Sequence, residues 1–181
     1  TLVAGGAGFV GSHLGRALLD AGERVMCVDN LQTSRETNLL GLQNHANFRF
    51  VRADITEPLP AEVMERAGEF TRIYNLACAA SPPLYQENPE HTMLTSVLGT
   101  NRLLRLAEAA LRKATSLNPT HANAWENWAI LHDGFGRTAE AKAARSEARK
   151  AEKLLGDEGG GAGFLSLDGG DGGATAVHEE L

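Results

Sequence analysis

Apolar positions follow two rhythms along this chain, and the change from one to the other divides it. At the N-terminus Val3 and its neighbours form a short apolar run. Leu14, Ala17, Leu18 and Ala21 then recur at helical spacing up to Gly22, and RVMCVD (24–29) is again continuous. Short apolar runs bounded by turn residues predict strands buried on both faces, as in a parallel sheet, and the stretch between them predicts a helix. FRFVRADI (48–55) predicts a third strand ending at Asp54, and RIYNLACAA (72–80) a fourth ending in small residues. Short helices or turns are expected over roughly 34–43 and 60–67. From Pro89 the helical rhythm takes over through Met93, Val97, Leu103, Leu104 and Leu106.

Chemistry enters at the first turn. Gly5, Gly8 and Gly11 fall three apart directly behind the first strand. In a strand–turn–helix setting such glycines make a tight turn, let backbone approach a pyrophosphate, and let helix and strand pack closely. The helix that follows offers unsatisfied N–H groups and the positive end of its dipole to phosphate. Asp29 ends the second strand 18 positions after Gly11, near the spacing of about 20 at which an acid binds ribose hydroxyls. An acid there also repels a 2′-phosphate, so NAD is favoured over NADP. The expected architecture is α/β, a partial doubly wound Rossmann-type parallel sheet in the order 3-2-1-4, with a βαβ unit at its start. Arg35 is off the strand end and is discounted as a phosphate reader. Cys78, at a strand end, reads as a small core residue, and the six histidines show no ligand spacing, so no metal is expected.

Taken together, GGAGFVGSHL, VDNLQTS, ADITEPLP, YNLACAASPPLYQENP and TSVLGT resemble the extended short-chain dehydrogenases/reductases of the NAD-dependent epimerase/dehydratase family, and within it the UDP-glucuronate decarboxylase group. The resemblance covers residues 1 to about 110. It implies NAD bound by the backbone around Phe9 and Val10, with Asp29 and Asn30 on the adenosine ribose and Gln32 and Thr33 beside it. Asp54 and Ile55 would lie against the adenine, and Leu76, Cys78 and Thr95 along the cofactor's far side. Ser96 stands where the family has Asn, and Arg102 about where it has a substrate-side Asn. The family reaction oxidises the sugar C4 hydroxyl, releases CO₂ and returns the hydride, on a nucleotide-sugar substrate. It uses a Tyr-x-x-x-Lys pair, because the hydride cannot leave without proton removal. Tyr74 is followed four residues later by Cys78, and Tyr85 by Pro89. No catalytic residue is therefore assigned, and the chain is expected to be inactive alone.

Composition sharpens the division. Residues 1–110 carry nine Arg and no Lys, whereas all four lysines fall in 111–155, a segment with an excess of base. Residues 156–181 have six acids, no base and nine of the 20 glycines. Within 107–155, Ala107 and Ala141 are 34 apart, as are Ala114 and Ala148, and Trp125, Trp128 and Ala129 share one face. That period resembles a tetratricopeptide repeat, here one copy plus a helix of another; an ordinary amphipathic hairpin is the alternative. LAEAA (106–110) suits the end of one element and the start of the other, so a fusion with its join there is expected. The Gly-rich acidic tail is expected to be disordered, with FLSL (164–167) able to dock locally and no partner assigned to it. A net charge of −6 argues against nucleic acid, no stretch suits a membrane span, and two cysteines in unrelated contexts suit a reducing cytoplasm. Rival readings are a protein-interaction module that binds a peptide or self-associates through the repeat, and a nonfunctional fusion.

Overall fold

The computed structural model describes residues 1–156; the expected disordered tail after Gly156, with FLSL, lies outside the described residues. Four strands, β1 (Leu2–Ala4), β2 (Val25–Asp29), β3 (Phe48–Arg52) and β4 (Ile73–Asn75), form one parallel sheet in the order β3-β2-β1-β4. The two central strands are buried at every position, as continuous apolar runs require. Their side chains alternate between two cores. Leu2, Ala4, Met26 and Val28 face one cluster with Val51, Ile55, Val63, Leu103 and Leu106. Val3, Val25 and Cys27 face the other with Ala7, Leu18, Leu19, Leu39 and Leu42. Helix α1 (Phe9–Asp20) covers the second face. The short α2 (Ala61–Glu65) and the long α5 (Thr100–Leu117) cover the first.

The outer strands are shorter than the apolar runs suggest. β3 stops at Arg52, two residues before the expected end at Asp54, and β4 is only three residues long. Turn chemistry ends both. Asp54 Oδ1 accepts from the Thr56 N–H and hydroxyl at 2.8 and 2.7 Å, folding the chain back in an Asx turn. Asn75 Oδ1 accepts from the Ala77 N–H in the same way.

Beyond β4 the chain is helical: α3 (Pro82–Glu87), α4 (Pro89–Leu94), a π-turn over Thr95–Gly99, then α5. Helices α6 (Ala122–Gly134) and α7 (Thr138–Gly156) follow, and α6 packs on both α5 and α7. Gly136, at φ +70°, turns the chain between α6 and α7. Ala141, Ala144, Ala148 and Ala151 form one buried stripe on α7, and such small side chains let helices approach closely. Trp125 and Trp128 are half-buried and stacked with centroids 5.4 Å apart, and Trp128 stacks in turn on His132. The residues of the expected join, 106–110, lie inside α5, which is one unbroken helix of 18 residues. At that point Glu108 is buried and accepts from Arg137 at 2.6 Å and Arg105 at 3.1 Å, with Arg112 at 3.9 Å. Arg105 and Arg137 also both lie over the Phe135 ring.

Candidate functional site

The site grows from the turn between β1 and α1. Gly5 has φ +74°, and a Cβ there would sit 2.5 Å from the Leu76 carbonyl. A Cβ on Gly11 would collide with the Gly5 carbonyl and the Gly6 Cα, so the first turn of α1 rests directly on the loop backbone. No side chain caps α1 at Gly8, which leaves the first-turn amides without intrahelical partners. Phe9, Val10 and Gly11 supply those amides; the Phe9 and Val10 side chains are 78% and 61% exposed and do not line the cleft.

Asp29, 8% exposed at the end of β2, does more here than its spacing indicates. Its Oδ2 accepts from the Ala7 N–H at 2.9 Å, inside the glycine turn. Its Oδ1 accepts from the Leu31 N–H and the Ser34 hydroxyl, both at 2.8 Å. The Ala7 carbonyl is held in turn by Asn38 Nδ2 at 2.8 Å. The glycine loop is thus clamped on both sides of one residue. Leu31 adopts φ +62°, a left-handed conformation costing a branched residue about 1–2 kcal/mol. The Asp29 acceptor holds it there, and the resulting turn delivers Asn30, Gln32 and Thr33 to the cleft.

That cleft runs along the carboxyl ends of the strands and encloses about 630 Å³, open solvent at its mouth included. It gathers Gly5, Gly8, Asp29, Asn30, Gln32, Thr33, Asp54, Ile55, Leu76, Cys78 and Thr95. Ligands of open α/β sheets occupy this position, outside the strand ends where the order reverses; here that point is between β1 and β4. Gly11, Phe9 and Val10 stand at the head of α1 rather than in its lining. Cys78 is exposed, its Sγ 3.5 Å from the Ser96 hydroxyl, so it is not the core residue its small size suggests. Cys27 is the buried one. Burial, aided by the charge of Asp29, pushes its thiol up to about 12, which leaves it inert at neutral pH.

Asp54 is the second carboxylate of the cleft. Besides Thr56 it accepts from Asn30 Nδ2 and pairs with His91 Nε2, both at 2.8 Å. Burial alone would raise its carboxyl, but the hydrogen bonds from Thr56, Asn30 and His91 outweigh that and hold it well below the usual carboxylate range. His91, Thr92 and Ser34 line the cleft without any motif to announce them. Arg102 Nη1 reaches the Ile55 carbonyl at 3.4 Å, and Gly99 gives way to the Ile55 side chain. Among the described residues no helix is long and apolar enough to cross a membrane.

Comparison with known proteins gives this geometry a setting. Residues 2–122 match the family model described as GDP-mannose 4,6 dehydratase. Over 107 residues the chain is 45% identical to UDP-glucuronic acid decarboxylase 4 of Arabidopsis thaliana, a match covering 59% of this chain and 23% of that protein. UDP-glucuronic acid decarboxylase 1 of Danio rerio is 44% identical over 107 residues, covering 59% and 24%. Among solved structures, the dTDP-glucose 4,6-dehydratase DesIV of Streptomyces venezuelae, with NAD bound, aligns with a TM-score of 0.54 at 28% identity, over 60% of this chain and 35% of that one. The epimerase Mth375 of Methanothermobacter thermautotrophicus aligns with a TM-score of 0.50 at 34% identity, over 60% and 31%. The chain spans about a quarter of the length of the curated relatives it matches.

Proposed function

Because the chain belongs, over residues 2–122, to the GDP-mannose 4,6 dehydratase family, we propose that this segment is the NAD-binding portion of a nucleotide-sugar enzyme of the UDP-glucuronate decarboxylase kind. The observation that carries the reading is the single cleft that collects the glycine turn, Asp29 at the end of β2, Asp54 in the turn after β3 and the small residues after β4. The residues fit the cofactor. A Cβ on Gly8 would meet only the Gly5 carbonyl within 4 Å, no side chain caps the α1 amides, and Asp29 keeps one of its roughly four acceptor positions unfilled by the three donors described above.

In this reading the amides of Phe9, Val10 and Gly11 hold the pyrophosphate at the helix start. Asp29 takes a ribose hydroxyl on its remaining position, with Asn30, Gln32 and Thr33 alongside. Asp54 and Ile55 form the adenine wall, and Leu76, Cys78 and Thr95 the far side. NAD, when bound, supplies a hydride acceptor and donor for the C4 carbon of the sugar. Proton removal at the C4 oxygen needs a separate group. Tyr74 and Tyr85 lack a lysine four residues on, so the chain alone is proposed to bind the cofactor without turning over.

Calorimetry of the full chain with NAD and NADP tests the reading: NAD should bind, and more tightly than NADP. Absence of NAD binding overturns it. CO₂ release from UDP-glucuronate by a preparation free of host enzyme overturns the proposed inactivity.

A second reading rests on α6 and α7. The 34-residue spacing, the alanine stripe and the stacked tryptophans support a tetratricopeptide-like hairpin joined at 106–110 to the nucleotide-binding segment. A single repeat leaves a face to cover, so this reading expects self-association at micromolar concentration. A monodisperse monomer by light scattering counts against it.

A further inference from the structure

Helices α3 and α4 bury none of their residues, yet α4 and the π-turn after it supply one wall of the cleft through His91, Thr92 and Thr95. Without an apolar anchor, something polar must place them. Among the described residues, one hydrogen bond ties 81–94 to the sheet and its strand-end turns: His91 Nε2 to Asp54 Oδ2 at 2.8 Å, across 37 residues of sequence. An ionised carboxylate only accepts, so Nε2 carries the proton. Nδ1 faces the Thr95 hydroxyl at 3.3 Å, and that hydroxyl also donates to the His91 carbonyl at 2.8 Å. The ring is therefore oriented through Nε2 and by its own helix, where the His91 N–H is capped by Asn88 Oδ1 at 3.0 Å.

Counting acceptors on Asp54 shows what this contact completes. Oδ1 serves the N–H and hydroxyl of Thr56, and Oδ2 serves Asn30 and His91. A carboxylate offers about four positions, and all are taken by the protein. The three segments meeting there are the end of β2, the turn after β3 and α4.

We propose that His91 is a positioning residue of the cofactor cleft: its Nε2–H fills the last acceptor position of Asp54 and pins α4, with Thr92 and Thr95, against the ends of β2 and β3. The inference rests on the reading of the cleft as an NAD site.

The test compares wild type, His91→Ala, His91→Gln and Asp54→Asn, alone and combined with His91→Ala, as full chains. NAD and AMP affinities are measured by calorimetry, and amide exchange over 89–94 is followed without ligand. His91→Ala should weaken both NAD and AMP about ten-fold, the loss of one hydrogen bond to a charged group, and should speed exchange in α4. His91→Gln, which keeps a donor, should recover most of the affinity. In the Asp54→Asn background His91→Ala should have little further effect. Unchanged affinity and exchange in His91→Ala, or additive effects in the double variant, overturn the proposal. Wild type that fails to bind NAD instead overturns the cofactor reading, while the exchange data still report whether His91 holds α4.

Discussion

Replacing Asp29 by Asn keeps the side-chain volume and one carbonyl oxygen but converts the other acceptor into a donor. The amide orients best with its oxygen toward the Leu31 N–H and the Ser34 hydroxyl, two donors at 2.8 Å. Its NH₂ then faces the Ala7 N–H, which in the wild type donates to Oδ2 at 2.9 Å. Two donors now point at each other in a buried corner of the glycine turn. Losing one hydrogen bond to a charged acceptor costs about 1.5–3 kcal/mol. For a chain of this size that corresponds to a fall in Tm of roughly 3–12 °C. Asp29→Ala removes all three acceptor contacts and should cost more than Asp29→Asn. Thermal and urea unfolding of the ligand-free chain, followed by far-UV circular dichroism, measure both. If Asp29→Asn unfolds with the wild-type midpoint in the absence of cofactor, the carboxylate is not the clamp of the loop, and its role reduces to ligand contact.

Two further outcomes follow from the polar junctions. Asp54 has a folded-state carboxyl held below the ordinary value of about 3.9, so its stabilisation is complete above that value and lost as pH falls through the folded one. The gap in urea midpoint between wild type and Asp54→Asn should hold steady above about pH 5 and narrow below about pH 4; a gap that widens on acidification contradicts the assignment. Glu108→Ala removes the acceptor shared by Arg105 and Arg137 and should cost about 2–3 kcal/mol. Tryptophan fluorescence, which reports on α6, should then show an earlier transition than circular dichroism, and superimposable wild-type-like curves would refute the pin.

How much of this was legible in the sequence depends on how far apart the partners lie. The βαβ unit and the sheet order follow from the apolar runs and the glycine spacing, because βαβ handedness and strand burial are local rules. Asp29 is visible for the same reason, though its grip on Ala7 is not, since that contact spans 22 residues. Asn38 and His91 reach partners 31 and 37 residues away and carry no motif, so only the fold reveals them. The apolar neighbours of Asp54 predict a strand that reaches it; the Thr56 contacts, a two-residue turn device, end the strand first. The π-turn at Thr95–Gly99 has no sequence signature either. It forms where Gly99 admits the Ile55 side chain.

The unbroken course of α5 has a geometric consequence. A helix transmits angle as well as distance: each residue advances the chain by 1.5 Å and rotates it by about 100°. Leu103 and Leu106 face the sheet while Glu108, one half-turn on, faces Arg137 of the following hairpin. Adding or deleting a single residue between Leu106 and Glu108 would swing everything downstream through more than a quarter circle. Glu108 and Arg137 would turn together and keep their pairing, but the hairpin would leave its bearing relative to Leu103 and Leu106 even if every residue kept its identity. A change of seven residues, close to two full turns, restores the phase while shifting the hairpin by about 10 Å. Length variation along α5 is therefore quantised: whole turns preserve the bearing of the two halves, and fractional ones scramble it.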